Sequence, residues 1–308
     1  MSYKWMPLLG EFDVTEEEIR FLGKTIQYQD QPAPAVGNLI SDQRFAGGTI
    51  EATVSFDEVK ERSAAELILS YDPQSRGFLI AGLGGLPLAM FDIRDFRPGI
   101  VAPPWTTHAV AGARENLRPG TPYKLRATVS GSLVALHADD VHILSATLPY
   151  SLQETQVGLW CMADHTVRVR DFRVRGGRPR AFIVMQFSSP FNEIYADVIK
   201  KSCEDNGVEA VRADEIYGPG LIIGDVAQEI LRSKLIIADI TPQNANVFFE
   251  VGYGFALNKP TILLAEKATK LPFDVSAFRV LFYEDSIAGK ARIEQGLQKH
   301  IKAILGIS

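Results

Sequence analysis

The sequence predicts two domains of different fold class, a β-sandwich over residues 1–175 and an α/β domain with a five-stranded parallel sheet over residues 181–308. The apolar pattern changes its period near residue 180. Before this point, short segments alternate apolar and polar residues, which is typical of strands with one buried face. Beyond it, continuous apolar segments alternate with helical ones, which indicates a parallel sheet covered on both faces. The glycine-rich run at residues 176–180 is the predicted linker.

The composition fits two folded domains and excludes several classes of protein. The 308 residues are 46% hydrophobic and 22% charged, and the net charge of -5 lacks the basic balance of a nucleic-acid binder. Cys161 and Cys203 lie in different predicted domains, so we expect neither a disulfide framework nor a metal site. The first residues lack the apolar core of a signal peptide, and no long uncharged apolar segment follows. We therefore expect a cytoplasmic protein with no membrane or nucleic-acid partner.

Short alternating segments define the predicted sandwich. Residues 50–56 and 125–129 place an apolar side chain at every second position. Similar segments predict five more strands, at residues 66–71, 78–81, 133–137, 141–144 and 156–161. Many short strands joined by Gly- and Pro-rich connections are typical of a sandwich or jelly roll.

The last strand of the sandwich changes the parity of its apolar residues. Val167 and Val169 have one parity and Phe172 and Val174 the other, so a bulge near Asp171 is needed to give one buried face. The outward residues are then arginines, namely Arg168, Arg170, Arg173 and Arg175. We interpret them as a charged face that protects an exposed edge. An anion-binding or domain-contact stripe is the alternative.

Strands and helices alternate along the α/β domain. The predicted strands are residues 181–187, 208–213, 235–240, 260–265 and 278–283, and the predicted helices are residues 191–206, 221–231, 247–257 and 287–305. A flavodoxin-like order of the five strands is the simplest arrangement, and ligands then bind beyond the carboxyl ends of the strands. Those ends carry Phe187, Ser188 and Ser189, then Asp214, and then Asp239 and Thr241.

One carboxylate interrupts an otherwise apolar helix. Glu250 follows Val247, Phe248 and Phe249 and precedes Val251. Burying an ionised group is costly, and an apolar setting raises a carboxyl pKa toward values that suit catalysis. Asp239 ends the preceding strand, so the two carboxylates are expected to converge on one cleft. The alternatives are that Glu250 pairs with a basic group and that Asp239 organises its loop by accepting backbone N–H bonds.

Four segments of the C-terminal half match the pattern of a known family. They are FIVMQFSSPFNEIY, VRADEI, IIADITPQNANVFFEVGYGFALNKPTILL and LPFDVSAFRVLFY, and they cover nearly all of residues 181–284. On these segments the half resembles the nucleoside 2-deoxyribosyltransferase-like and TIR-like domains. The resemblance implies cleavage of an N-glycosidic bond, with Glu250 as the catalytic carboxylate and Asp239 in the same pocket. Ala245 departs from the pattern, in which proline is frequent at this position.

The resemblance suggests a substrate and a setting. Substrates across the group include deoxynucleosides, nucleotides and NAD. Our leading hypothesis is an NAD glycohydrolase that releases nicotinamide, with NAD as substrate and no cofactor, acting as a regulated effector of bacterial antiphage defence. TIR-like enzymes commonly self-associate, so a homo-oligomer is expected. A nucleoside or nucleotide N-glycosidase or 2-deoxyribosyltransferase is one alternative, and a non-catalytic nucleotide-sensing or assembly module is another.

Several further residues are predicted to bind the substrate. Backbone N–H groups near Ser188 and Ser189 suit a phosphate, with plain N-capping as the alternative. Tyr217 is placed to stack on a base, unless its loop is an ordinary surface connection. The candidate proton donors to a leaving base are Asp239, Asp274 and Glu215, and the sequence does not choose between them. The predicted substrate-binding set is Phe187, Ser188, Ser189, Asp214, Tyr217, Thr241, Asn246 and Asp274.

The N-terminal half has a resemblance of its own. GNLISDQRFAGGTIEATVSF and VGLWCMADHTVRVRDFRV resemble segments of concanavalin A-like jelly rolls. This implies a ligand-sensing or assembly domain for a small-molecule or carbohydrate-like ligand, although a fold does not dictate its ligand. Trp105 and Trp160 are interpreted as core residues, with a sugar-stacking surface as the alternative.

Overall fold

The computed structural model describes residues 3–100, 102–215, 222–275 and 278–306. The chain divides into two compact units. The first comprises residues 1–129, 133–148 and 152–177, and the second comprises residues 130–132, 149–151 and 178–308. Tyr217 and the side chain of Asp274 lie outside the part that the structure describes.

The first unit consists of two antiparallel sheets. Numbered along the chain, its strands are β1 (Trp5–Leu9), β2 (Phe12–Val14), β3 (Ile19–Leu22), β4 (Thr25–Tyr28), β5 (Gln31–Phe45), β6 (Gly48–Phe56), β7 (Ala64–Asp72), β8 (Gly77–Leu83), β9 (Ala89–Phe96), β10 (Trp105–Ala113), β11 (Tyr123–Ser130), β12 (Leu133–Ala138), β13 (Val141–Thr147), β14 (Thr155–Ala163) and β15 (Thr166–Gly176). One sheet has eight strands in the order β1-β5-β14-β7-β8-β9-β10, with β4 beside β5. The other has seven in the order β13-β12-β11-β6-β15-β3-β2.

Burial along the strands confirms the predicted sandwich for the second sheet and modifies it for the first. Strands β6 and β11 alternate buried and less buried residues, as expected for one buried face. Strands β8 and β9 are buried at nearly every position, and β7 is buried over its first six residues. The outer face of this sheet carries a second apolar cluster that includes Ile68, Ile80 and, from β14, Trp160. Strands β1–β5, β9 and β10 were not predicted, and of these β1 and β4 are mostly exposed, so they have no buried face to detect.

The bulge predicted in the last strand of the sandwich is confirmed. Asp171 has a φ of 53°, and the register between β15 and β6 shifts between Arg170 and Arg173. The predicted exposed edge is wrong for the first part of this strand, because β15 pairs with β3 on one side and β6 on the other. In this part of the strand, arginine side chains pair with carboxylates. Arg168 donates hydrogen bonds to Asp57 (2.8 Å) and to Glu18 (3.0 Å). The charged-face interpretation therefore fits better than an anion site.

The second unit contains the predicted parallel sheet. Its strands are β16 (Arg180–Val184), β17 (Glu209–Arg212), β18 (Leu235–Asp239), β19 (Thr261–Glu266) and β20 (Val280–Tyr283). All four strand pairs are parallel, and the order is β17-β16-β18-β19-β20, which is the predicted flavodoxin-like order. The first strand ends earlier than expected, so residues 185–187 follow the sheet instead of extending it.

Helices connect the strands and supply two apolar layers. They are α1 (Phe191–Ile194), which continues through a π-helical segment (Tyr195–Lys200) into α2 (Lys201–Asp205), then α3 (Ile222–Arg232), α4 (Ala245–Ala256) and α5 (Ile287–Leu305). One apolar cluster contains Ile199 and Leu297, from the π-helical segment and α5, and the other contains Ile230 and Val247, from α3 and α4. Continuous burial of the strands follows from this two-sided cover.

We predict that Gly158→Ala lowers the free energy of unfolding by about 1–3 kcal/mol, the usual cost of overpacking. An added Cβ would lie 2.0 Å from the backbone oxygen of Leu39 in β5. Because β5 is paired with β14, this oxygen cannot move away. All three tryptophans lie in the first unit, so urea unfolding followed by their fluorescence reports its stability. Gly176→Ala is the matched control, because nothing lies within 4 Å of its added Cβ. Equal stabilities of the two variants would contradict the packing account.

Candidate functional site

Asp239 is the most constrained of the predicted site residues. It is the last residue of β18 and is 0% exposed. Its Oδ1 accepts the backbone N–H of Thr241 (2.9 Å), and its Oδ2 accepts the hydroxyl of Tyr283 (2.8 Å). Burial raises the pKa of Asp239, and these hydrogen bonds oppose the rise because they favour the ionised form. Both oxygens are thus engaged within the protein.

The hydrogen bonds of Asp239 extend into a network at the carboxyl ends of three strands. Thr241 Oγ1 lies 2.9 Å from the hydroxyl of Tyr283 and accepts the backbone N–H of Glu266 at 2.9 Å. Since Tyr283 donates its proton to Asp239, Thr241 donates to the Tyr283 oxygen. The network joins the ends of β18, β19 and β20. This geometry favours the alternative in which Asp239 organises its loop. The side chain of Thr241 is engaged in the same network.

Glu250 is in a different electrostatic situation. It lies in α4 between Val247 and Val251, which are buried against the sheet, and its own side chain is half-buried. Within the described ranges it has no hydrogen-bond or ion-pair partner. Desolvation alone raises the pKa of Glu250 to about 7. A carboxyl group with that pKa is divided between its two protonation states near neutral pH, which suits either charge stabilisation or proton transfer.

The start of α4 explains how Glu250 is positioned. The side chain of Asn244 accepts the backbone N–H of Asn246 at 2.9 Å, so Asn244 is the N-cap and the helix begins two residues earlier than predicted. Asn246 uses its backbone in this cap and exposes its side chain. Residues 240–244 therefore connect the fixed end of β18 to a capped helix that carries Glu250. The described residues show no hydrogen bond between Glu250 and Asp239.

The residues after β16 are largely occupied by local contacts. Ser188 accepts a hydrogen bond from the side chain of Gln186 (2.9 Å), and Ser189 donates to Glu193 (3.1 Å). The N-cap of α1 is Pro190, without a side-chain cap, so the alternative of serine N-capping is wrong. Phe187 is exposed by 48%, and Ser189 is exposed as well.

Sequence analysis missed an arginine that organises the neighbouring strand end. Arg212 donates to both oxygens of Asp214, at 2.7 and 2.6 Å, and to Asn192 at 2.9 Å. Its guanidinium also lies 4.3 Å from the ring centre of Tyr195 and 5.2 Å from that of Phe187. Asp214 is therefore held in a bidentate ion pair. The only sequence signal was an arginine two residues before this aspartate at the end of a strand.

The structure thus divides the predicted residues into groups. Asp239 and Thr241 belong to one network, and Asp214 and Phe187 surround Arg212. Glu250 has no hydrogen bond or ion pair to any of these within the described residues. The cleft in which Glu250 and Asp239 were expected to meet is not evident from these contacts, and the predicted roles of both residues remain predictions.

Other features of the chain bear on metals and membranes. Among the described residues, no group of three or more His, Cys, Asp or Glu side chains is arranged to hold a metal ion. His137 and His142 have ring centres 5.2 Å apart in the hairpin of β12 and β13. Cys161 and Cys203 are buried free thiols, and burial raises the pKa of Cys203 to about 12. No helix of the described ranges is both long and apolar enough to cross a bilayer.

Comparisons with known proteins show only partial architectural likeness. No family model and no curated protein matches the chain. The carbohydrate-binding module CBM66 from Bacillus subtilis matches with 15% identity and a TM-score of 0.41, over 55% of this chain and 92% of its own. A β-glucanase from Bacillus licheniformis matches with 10% identity and a TM-score of 0.38, over 56% and 92%. Porphyranase B from Zobellia galactanivorans matches with 10% identity and a TM-score of 0.37, over 55% and 85%.

Identities and scores this low assign neither a family nor a ligand to the chain. The description of the first unit as a sandwich rests on its own two antiparallel sheets. The resemblance of the second unit to TIR-like and nucleoside 2-deoxyribosyltransferase-like domains rests on its sequence segments alone.

We predict that Tyr283→Phe destabilises the protein by about 1–3 kcal/mol at neutral pH, because it leaves a buried carboxylate oxygen unpaired. The folded-state pKa of Asp239 is already raised, so the ionised form costs stability as the pH rises through that pKa. Losing the donor raises this pKa further. The loss of stability should therefore be larger at pH 7 than near pH 3, which lies below even the ordinary pKa of 3.8, so that Asp239 is protonated and no longer needs the donor.

The matched control is Tyr253→Phe, because the hydroxyl of Tyr253 makes no hydrogen bond to a described residue. The free energy of unfolding of both variants is measured by urea unfolding at the two pH values. A Tyr283→Phe variant as stable as Tyr253→Phe at neutral pH would show that the Asp239 network does not hold the strand ends.

Proposed function

We propose that the second unit cleaves N-glycosidic bonds, with Glu250 as the catalytic carboxylate and NAD as the substrate. The observation that carries this proposal is a half-buried carboxyl group with a pKa of about 7 and no partner among the described residues. A structural carboxylate would be expected to have a partner, as Asp239 and Asp214 do. The match of the surrounding segment to the family pattern supports the same assignment.

The chemistry follows from the bond that breaks. Cleavage of a ribosyl–nitrogen bond develops oxocarbenium character at the sugar carbon, as in glycoside hydrolysis. The ionised carboxylate of Glu250 stabilises that charge or attacks the carbon to form a covalent intermediate. The electrons of the broken bond go to nicotinamide, which leaves as a neutral molecule. Water then adds to the sugar carbon, and one proton is released.

Asp239 acts in this proposal as a positioning residue. Its hydrogen bonds to Thr241 and Tyr283 fix the end of β18, and the segment from there leads directly to the N-cap of α4. Displacement of a catalytic group by even about 1 Å lowers rates strongly. The network thus supports the placement of Glu250 without a direct role in bond cleavage.

One observation favours a second candidate function. A pKa of about 7 leaves much of Glu250 protonated at neutral pH, so the same group is able to donate a proton. An ordinary purine or pyrimidine leaves poorly unless it is protonated, whereas nicotinamide needs no such help. Proton donation by Glu250 therefore fits a nucleoside or nucleotide N-glycosidase or a 2-deoxyribosyltransferase.

The wider setting is part of the same proposal. We propose a regulated effector of antiphage type that works as a homo-oligomer, with a small-molecule or carbohydrate-like ligand bound by the sandwich. A non-catalytic nucleotide-sensing module is the remaining alternative, and tight nucleotide binding without turnover would select it.

We predict that Glu250→Gln lowers nicotinamide release from NAD by about 100-fold or more, because the neutral amide cannot stabilise a developing cation. Concentrated protein is incubated with NAD, and the products are separated by chromatography. Glu204→Gln is the matched control, since Glu204 is an exposed residue of α2. Equal turnover by folded Glu250→Gln and the parent would refute the assignment of Glu250.

The pH dependence separates the two candidate reactions. If ionised Glu250 is required, kcat/KM for NAD rises with pH through about 7. If protonated Glu250 is required, the rate with a deoxynucleoside falls through the same range. Release of free base from deoxynucleosides with NAD untouched would select the second function.

A further inference from the structure

The outer face of the eight-stranded sheet contains a cavity of about 480 Å³. Its walls include the aromatic side chains of Phe78, Phe96, Trp105 and Trp160. Trp105 and Trp160 meet edge to face, with ring centres 5.9 Å apart. A cavity of this size with aromatic walls and a few polar groups has the general character of a small-molecule site.

A row of paired residues forms the floor of the cavity. Across β14, β7, β8 and β9, Trp160 pairs with Glu66, Glu66 with Gly82, and Gly82 with Asp92. Residues paired in this way lie on the same face of a sheet. Arg94, two residues beyond Asp92 in β9, therefore also faces the cavity and is one of the residues that line it.

Arg94 is clamped between the two carboxylates. It donates to Glu66 Oε1 at 2.6 Å and to Asp92 Oδ1 at 2.7 Å. Its guanidinium carbon lies 4.4 Å from the ring centre of Trp105 and 5.6 Å from that of Trp160. The side chain of Arg94 is 6% exposed, and those of Glu66 and Asp92 are 0% exposed. The two carboxylates thus fix the orientation of Arg94.

The charges of the clamp balance when Glu66 is protonated. Glu66 Oε2 and Asp92 Oδ2 are buried and have no hydrogen-bond partner among the described residues. Two ionised carboxylates beside one arginine would leave an uncompensated buried charge, which is strongly unfavourable. Burial and the charge of Asp92 raise the pKa of Glu66 well above its usual value. The raised pKa favours protonated Glu66, which leaves one negative charge to balance Arg94 and makes the floor neutral.

This arrangement argues against hydrolysis in the cavity. The two carboxyl groups of a glycosidase lie about 5–9.5 Å apart and flank the bond that breaks. Glu66 and Asp92 interact directly with each other and have no exposed surface. They support Arg94 and cannot reach a glycosidic bond.

The groups that face the cavity define the chemistry of a ligand. Arg94 uses two of its five N–H donors on the carboxylates, which leaves others for an acceptor. Asn38 also lines the cavity, and its Oδ1 is a buried acceptor without a partner among the described residues. The floor is neutral, and the charges of Glu61 and Arg62 at the rim offset each other. The site thus combines aromatic faces with separate donors and acceptors and has no net charge.

We infer that this cavity binds a neutral sugar ring without cleaving it, with Arg94 as the polar anchor. The apolar C–H face of the ring packs on Trp105, and ring hydroxyls accept hydrogen bonds from Arg94. The inference does not depend on the chemistry of Glu250.

Tryptophan fluorescence provides the test. The chain has three tryptophans, and Trp5→Phe leaves only the two that line the cavity. This variant is titrated with glucose, galactose, mannose, xylose, fructose and ribose, each also as its methyl glycoside. We expect a saturable change with at least one of them. Adding Trp105→Ala should weaken that binding about 10-fold or more, since loss of a stacking aromatic removes more than about 1 kcal/mol. Trp105 is only partly buried, so this variant is expected to fold, which circular dichroism checks.

Three outcomes would overturn the inference. The first is the absence of a saturable signal with every sugar, confirmed by calorimetry on the parent protein. The second is binding that Trp105→Ala leaves unchanged. The third is release of the methyl group as methanol, which would show that the site cleaves glycosides. NAD cleavage by the parent and by Glu250→Gln is measured separately, so failure of one proposal leaves the other intact.

Discussion

The cost of burying a carboxylate organises both units of this protein. A buried ionised group needs a partner, a proton or an exceptional environment. Glu66 and Asp92 have Arg94, and the pKa of Glu66 is raised, which favours its protonated form. Asp239 has two hydrogen-bond donors from its own unit. Glu250 has no partner in the described part of the chain and a pKa of about 7.

The contrast between Asp239 and Glu250 shapes the proposed chemistry. Asp239 is fully buried, and its bonds to Thr241 and Tyr283 hold the ends of neighbouring strands together. That network gives the loop after β18 a fixed starting point, and the cap at Asn244 gives α4 a fixed beginning. A carboxylate with an unfavourable environment persists only when the surrounding structure maintains it, and this is common at functional sites.

The architecture was largely predictable because periodicity reports burial. Continuous apolar strands alternating with helices predicted the parallel sheet and its order, and the change of parity predicted the bulge at Asp171. The side-chain clamps were not predictable. Glu66 and Asp92 stand in strand sequences that do not show whether a polar residue is exposed, and only the three-dimensional position of Arg94 reveals their pairing. The ion pair of Arg212 and Asp214 was not predicted from the sequence for the same reason.

The proposed catalytic role of Glu250 depends most directly on its protonation. Carbon-13 NMR of protein labelled at the glutamate carboxyl carbons measures this in a pH titration, with the Glu250 signal identified by its loss in Glu250→Gln. The account predicts a midpoint of about 7 in the folded protein. A midpoint of about 4.3, the ordinary value for glutamate, would show that Glu250 is solvated or paired and would contradict its proposed role.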